Sequence, residues 1–366
     1  MIPFLDLRLA TEELRPEIDR ALARVMTSGC YILGAEVEAF ENEFAAYCGA
    51  RHCVGVASGL DALTLLLRGL GIGEGDEVIV PSNTYIATRL AVSAVGARVV
   101  PVEPDAATYN LDPPRVEDAM GPRTRAIVAV HLYGQTAALG ALGEIARRRG
   151  VMLVADAAQA HGVDLGGVPS AFSFYPTKNL GALGDGGAVV TDDAALAGRI
   201  RALGNYGSRK KHLNEMRGVN SRLDPLQAAV LREKLLHLDA WNRRRRQIAA
   251  LYLEQLDGIP DLVLPRVAEG CSTVWHAFAI RHPRRDWLAR QLGLEEIGTM
   301  IHYPVPPHLS QAYRDAGYRR GSFPIAERIA AEELSLPLHP HLTVEQVEEI
   351  VGSLCLAACV PMEDVA

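Results

Sequence analysis

Six short, β-branched runs recur between longer stretches with helical spacing, and this alternation leaves the chain few folds to choose from. The runs occupy 53–57, 77–81, 98–102, 126–130, 152–156 and 187–191, and helical patterns lie between them at 61–69, 86–95 and 139–150. Near-continuous apolar runs of this length read as strands buried on both faces. Strands alternating with helices predict an α/β fold with a mostly parallel sheet and right-handed crossovers. After Leu223 the pattern changes to a long helix, and a smaller region follows with a strand-like run at 276–280 and a closing helix near 344–356. The expected division is a large domain over 1–240 and a small C-terminal α/β domain over 241–366.

Composition removes several functional classes. Hydrophobic residues make up 49% of the 366, enough to fill a large core. A formal net charge of -7 denies the chain the cationic field that nonspecific nucleic-acid binding uses, so no nucleic-acid partner is expected. The six cysteines form no C-x-x-C pair, which argues against a zinc site or a disulfide framework and fits a reducing compartment. The N-terminal segment has no basic stretch followed by an apolar one, and no run approaches the roughly 20 apolar residues of a membrane span. The expectation is a cytoplasmic protein with no membrane partner and no metal.

Two tempting motifs have plainer readings. Arg243 to Arg246 fall in a helical segment, where four consecutive positions point around the circumference, as in a solvated helix surface. The glycines Gly181, Gly184, Gly186 and Gly187 lack the strand-turn-helix setting of a dinucleotide fingerprint, so NAD is discounted.

The chemistry concentrates between Val154 and Gly187. Asp156 ends an apolar strand, where a parallel sheet offers side chains to a ligand crevice, although an acid here also suits a helix cap. Lys178 lies between an apolar flank and a Gly-rich one; alone it reads equally well as a surface lysine. Together they match the paired needs of pyridoxal phosphate chemistry: a lysine able to form a Schiff base and an acid able to partner a pyridinium nitrogen.

Ser58-Gly59-Leu60-Asp61, Pro81-Ser82-Asn83-Thr84-Tyr85, the run Asp156-Ala157-Ala158-Gln159-Ala160-His161-Gly162, the run from Ser173 to Asn179, Gly218 to Asp224 and Ile301-His302-Tyr303-Pro304 occur in this order and spacing. The chain thereby resembles the sugar aminotransferases of the DegT/DnrJ/EryC1/StrS group, within the fold-type I, aspartate aminotransferase-like, pyridoxal-phosphate enzymes. The resemblance implies that Lys178 is the Schiff-base lysine and proton-transfer base, that Asp156 holds the ring nitrogen protonated, and that Gln159 bonds the ring's phenolic oxygen. It further implies that Tyr85 stacks on the ring, and that Gly59, Leu60 and Ser173 hold the phosphate. Leu60 stands where Thr is frequent in the group, which leaves that contact to the backbone. Asn220 corresponds to a residue that reaches the phosphate from a neighbouring subunit, so a homodimer with shared active sites is implied.

The resemblance also assigns Lys211, in the basic loop 205–220, to the substrate diphosphate, and His302 and Tyr303 to the substrate. His212 replaces the aromatic usual after that lysine. His161 is either a neighbour of the ring or a structural histidine. The implied reaction is ping-pong amine transfer from L-glutamate to a nucleotide-linked keto-sugar, through pyridoxamine phosphate. Residues 100–113, together with 83–88 and 301–308, resemble the subgroup acting at C3 of dTDP-3-keto-6-deoxyhexoses. The alternatives are C4 amination and a non-catalytic, pyridoxal-binding regulatory role.

Overall fold

The computed structural model describes residues 1–210 and 212–360. A seven-stranded sheet organises the first part of the chain: β1 (His52–Val56), β2 (Glu77–Pro81), β3 (Arg98–Val102), β4 (Thr124–Val130), β5 (Met152–Asp156), β6 (Ser170–Ser173) and β7 (Gly187–Thr191). Their order is β1-β7-β6-β5-β4-β2-β3. The pairs among β2, β3, β4, β5 and β6 are parallel, whereas β7 is antiparallel to both neighbours, so it alone runs against the other six. This is the mostly parallel α/β sheet that the strand pattern predicts, with one reversed strand that the pattern did not reveal.

Every residue of β2 and β7 is buried, as doubly covered strands require. On one face Leu65, Leu66 and Ile200 pack against Val54, Val80 and Val189. On the other, Phe40, Phe44, Phe172 and Phe174 form an aromatic cluster in which Phe44 meets Phe172 edge-on at 5.0 Å. Such edge-to-face pairs add to simple burial because the positive ring edge meets the negative face of its neighbour.

A second apolar core joins Ile248, Tyr252, Phe278, Leu334, Val347 and Leu354 around the two-stranded sheet of β10 (Phe278–Arg281) and β11 (Glu333–Leu336). Ile2 belongs to this core and bridges Ile297, so the chain's first residues return to it. The helix Leu238–Gln255 runs across residue 240, placing Leu238 against the first core and Ile248 and Tyr252 in the second.

Two expectations need correction. The long helix after Leu223 is two, Pro225–Leu235 and Leu238–Gln255; apolar spacing continues through the break, with no Gly or Pro to mark it. In the Arg243–Arg246 run, Arg245 is buried and donates to the Leu338 carbonyl at 2.8 Å, while its three neighbours are exposed. The basic loop 205–220 carries a small hairpin of β8 (Ser208–Lys210) and β9 (Leu213–Asn214).

Candidate active site

Because six of the seven strands run the same way, their carboxyl ends gather along one edge of the sheet, and a cleft of about 450 Å³ lies there. Gly59, Leu60, Tyr85, Asp156, Gln159, Ser173, Lys178, His302 and Tyr303 all line it. Nine of the eleven residues assigned from the sequence are therefore brought together. Asn220 is exposed and does not line this cleft; its backbone bridges to Asn205. Lys211 lies outside the described residues.

Asp156 is the last residue of β5 and is buried. One carboxylate oxygen accepts from the Thr88 hydroxyl at 2.9 Å and the other from the Ala158 N–H at 3.1 Å. Burial pushes its carboxyl above the usual range, against those two bonds and the pull of Lys178. A desolvated carboxylate of this kind is stabilised by a cation placed against it, and a protonated ring nitrogen is such a cation.

Lys178 sits in the segment joining β6 to β7, on a turn closed by its N–H donating to the Tyr175 carbonyl at 2.9 Å. Desolvation in the cleft lowers its amine to about 8, opposed by the attraction of Asp156. An amine with that value exchanges protons readily near neutral pH, as a base and nucleophile must.

The end of the cleft at Gly59 and Ser173 is set by close packing. Ser58 caps the helix Gly59–Gly69, its hydroxyl accepting from the Asp61 N–H at 3.1 Å. The first N–H groups of a helix lack intrahelical partners and favour an anion. A Cβ on Gly59 would lie 2.5 Å from the Ser173 Cβ, so only glycine lets Ser173 stand beside that helix terminus.

Gln159 is already anchored on one side. Its amide oxygen accepts from the Tyr133 N–H at 2.6 Å, and its amide nitrogen donates to the Tyr303 hydroxyl at 3.2 Å. The Tyr85 and Tyr303 rings lie 5.0 Å apart at 39°, forming an aromatic wall, and Tyr85 keeps more than half its surface open. His161, left open between two readings, is fully buried between Phe172 and Phe174, with Nε2 3.0 Å from the Ser173 carbonyl, and does not line the cleft.

Sequence reasoning missed Thr88, His131 and His276. Thr88 lies three residues after Tyr85 in the helix Ile86–Ala94 and reaches Asp156. His131 and His276 line the cleft; burial pushes both below the ordinary histidine value, and Lys178 adds to the effect at His276. His131 follows β4 directly, a strand-end signal of the same kind as Asp156. Nothing local marks His276, which comes from the second part of the chain.

A lysine and a buried carboxylate on the carboxyl edge of a sheet with one reversed strand is the arrangement of the fold-type I pyridoxal-phosphate enzymes. The model of the DegT/DnrJ/EryC1/StrS aminotransferase family matches residues 12–355, and the chain belongs to that family, which is pyridoxal-phosphate-dependent. It is 56% identical over 360 residues to the erythromycin biosynthesis sensory transduction protein EryC1 of Saccharopolyspora erythraea, covering 96% of this chain and 98% of the relative. It is also 56% identical over 360 residues to the dTDP-3-amino-3,4,6-trideoxy-alpha-D-glucose transaminase of Streptomyces venezuelae, covering 96% and 95%. The dTDP-3-amino-3,6-dideoxy-alpha-D-galactopyranose transaminase of Aneurinibacillus thermoaerophilus is 52% identical over 371 residues, covering 97% and 99%. Among solved structures, S. venezuelae DesV in complex with a ketimine intermediate superposes with a TM-score of 0.97 at 55% identity, covering 98% of this chain and 99% of that one.

Proposed function

We propose that this aminotransferase moves the amino group of L-glutamate to C3 of a dTDP-linked 3-keto-6-deoxyhexose, as a cytoplasmic homodimer. The observation that carries the reading is Lys178, its amine lowered to about 8, in one cleft with the buried Asp156 carboxylate. The names of the two transaminase relatives share amination at C3 although their hexoses differ, and this supports C3 over C4. Among the described residues no helix is long and apolar enough to cross a membrane.

When bound, pyridoxal phosphate supplies an electron sink and carries the amino group, as pyridoxamine phosphate, between donor and acceptor. The chain's own groups do the rest. Asp156 holds a proton on the ring nitrogen, and Thr88 and the Ala158 N–H keep that carboxylate oriented. The amine of Lys178 removes and returns the proton at the reacting carbon. Ser173 and the helix terminus at Gly59 hold the phosphate, with Leu60 contributing its backbone. Tyr85 covers the ring and excludes water from one side, and Gln159 turns its remaining amide hydrogen to the ring oxygen. His302 and Tyr303 take the hexose, and Lys211 its diphosphate.

Asn220 is assigned to the partner's site, and its exposure outside its own cleft supports that placement. The intact Lys178, Asp156 and Gln159, together in one cleft, favour turnover over a regulatory role. Product analysis after incubation with L-glutamate and a dTDP-3-keto-6-deoxyhexose tests the reading: a new amine at C3 supports it, and an amine at C4 or none refutes it.

A further inference from the structure

Behind His302 lies a polar chain that the reaction does not require. The backbone of Met300 bridges Ser335 in antiparallel register, which brings His302 opposite Glu333 two residues along. Glu333 and Ser335 are alternate residues of β11 and so share a face of the strand. Both are fully buried. The Ser335 hydroxyl donates to Glu333 Oε1 at 2.5 Å and lies 2.8 Å from His302 Nδ1, while Glu333 Oε2 accepts from the His302 N–H at 2.5 Å. His302 Nε2 has no protein partner among the described residues, and the ring lines the cleft.

A carboxyl group fully buried in a sheet is costly, and a sheet position facing the core ordinarily carries an apolar residue. Here one of its oxygens takes the His302 N–H and the other the Ser335 hydroxyl that stands against the His302 ring. The proton count along the chain is fixed by its members. An ionised Glu333 donates nothing, so the single Ser335 hydrogen goes to Oε1. Ser335 Oγ then has only lone pairs for His302, which must bring its own hydrogen on Nδ1. A neutral imidazole protonated at Nδ1 has a bare Nε2. Burial drives the ring below its ordinary value to about 4, so the neutral form is the relevant one.

We propose that Glu333, acting through the Ser335 hydroxyl, is a positioning residue that keeps the His302 proton on Nδ1 and offers the bare Nε2 to the cleft as acceptor for a hexose hydroxyl. The second half rests on the reading that the hexose occupies this cleft; the first does not. Burial raises the Glu333 carboxyl to about 7, held down by its two hydrogen bonds and by Arg285, whose guanidinium donates to the Glu333 carbonyl at 2.7 Å. Tyr133 and Tyr303 face the same space and stay neutral, because burial raises both phenols. At pH 8.5 the carboxylate form therefore prevails.

The variant Glu333→Gln turns this proton count into a test. The His302 N–H occupies the Oε2 position, so the amide oxygen must sit there and the NH₂ group must face Ser335. That NH₂ donates to Oγ, the serine hydrogen turns to Nδ1, and the imidazole proton moves to Nε2. The prediction is an inversion of tautomer in a protein of unchanged shape.

Long-range ¹H–¹⁵N spectra of ¹⁵N-histidine protein at pH 8.5, with His302 assigned through its loss in His302→Gln, read the tautomer directly. The expected result is Nδ1–H in the wild type and Nε2–H in Glu333→Gln. Nε2–H in the wild type, or no inversion in the variant, overturns the relay. Should Glu333→Gln not fold, Ser335→Ala must abolish the uniform Nδ1–H form, and its persistence has the same force.

The substrate half is read separately in the reverse reaction, with dTDP-3-amino-3,6-dideoxyhexose against its 2-fluoro and 4-fluoro counterparts. Fluorine accepts but does not donate. The wild type should favour the hydroxyl over at least one fluoro compound, and Glu333→Gln should narrow that KM ratio by about 5- to 100-fold, the equivalent of about 1–3 kcal/mol. An inverted tautomer with unchanged ratios overturns the hydroxyl contact and leaves the relay standing.

Discussion

At the scale of single residues, the account turns on Lys178 and what surrounds it. Removing it in Lys178→Ala deletes the proton-transfer base as well as the covalent anchor. General acid–base action alone contributes about 100- to 10,000-fold, so turnover should fall by at least that range. Steady-state assay checks this, and a variant retaining a tenth of the wild-type rate would exclude Lys178 from the role. The depressed amine makes a second prediction. In cofactor-free protein, trapping of the lysine by an aldehyde and borohydride should rise with pH about a midpoint near 8, because only the neutral amine attacks; a rise centred near 10.5 would mean that the cleft does not desolvate it. Asp156, Gln159, Ser173 and Lys178 were legible because they fall within 23 consecutive residues whose loop lengths fix their spacing. Thr88, His276, Glu333 and Ser335 were not, because each reaches the site through packing between distant segments.

At the scale of elements, close approach at the helix terminus and one half-buried ion pair set how the site is held. Gly59→Ala forces a methyl group to within 2.5 Å of Ser173 Cβ, and overpacking of this kind costs about 1–3 kcal/mol. Pyridoxal phosphate should bind about 5- to 100-fold more weakly, with the circular dichroism spectrum unchanged. Equal affinity in a spectroscopic titration would show that this terminus does not hold the phosphate. Beneath the same sheet edge, buried Glu41 accepts from the Gly55 N–H at 2.7 Å and from Arg201 at 2.7 Å, tying the helix Ala35–Tyr47, β1 and the helix Ala194–Gly204 together. Arg201 is half exposed, so Arg201→Ala should cost about 1–3 kcal/mol rather than the full loss of a buried pair, read as a lower urea midpoint. The strands were largely legible because burial on both faces demands continuous apolar runs. β6 escaped because Ser-Ala-Phe-Ser is short and has no β-branched residue, and the reversal of β7 escaped because direction leaves no mark on composition.

At the scale of the whole molecule, the reading requires two subunits. Asn220 does not line its own chain's cleft, and a partner contact gives it a purpose. Mixing inactive Lys178→Ala subunits with inactive Asn220→Asp subunits should restore activity, because both defects then fall in one site and the other is intact. Subunit exchange without recovery would place Asn220 in its own chain's site. The overall α/β class and the buildup of one cleft from both parts of the chain could be read from the order of motifs; the return of Ile2 to the second core could not, since a single apolar residue carries no periodicity. The central claim is amine transfer to C3 of a dTDP-keto-hexose. Its most direct test follows ¹⁵N from labelled L-glutamate into the sugar nucleotide by NMR. The account predicts the label on C3, with none transferred by Lys178→Ala; label on C4, or no transfer by the wild type, would contradict it.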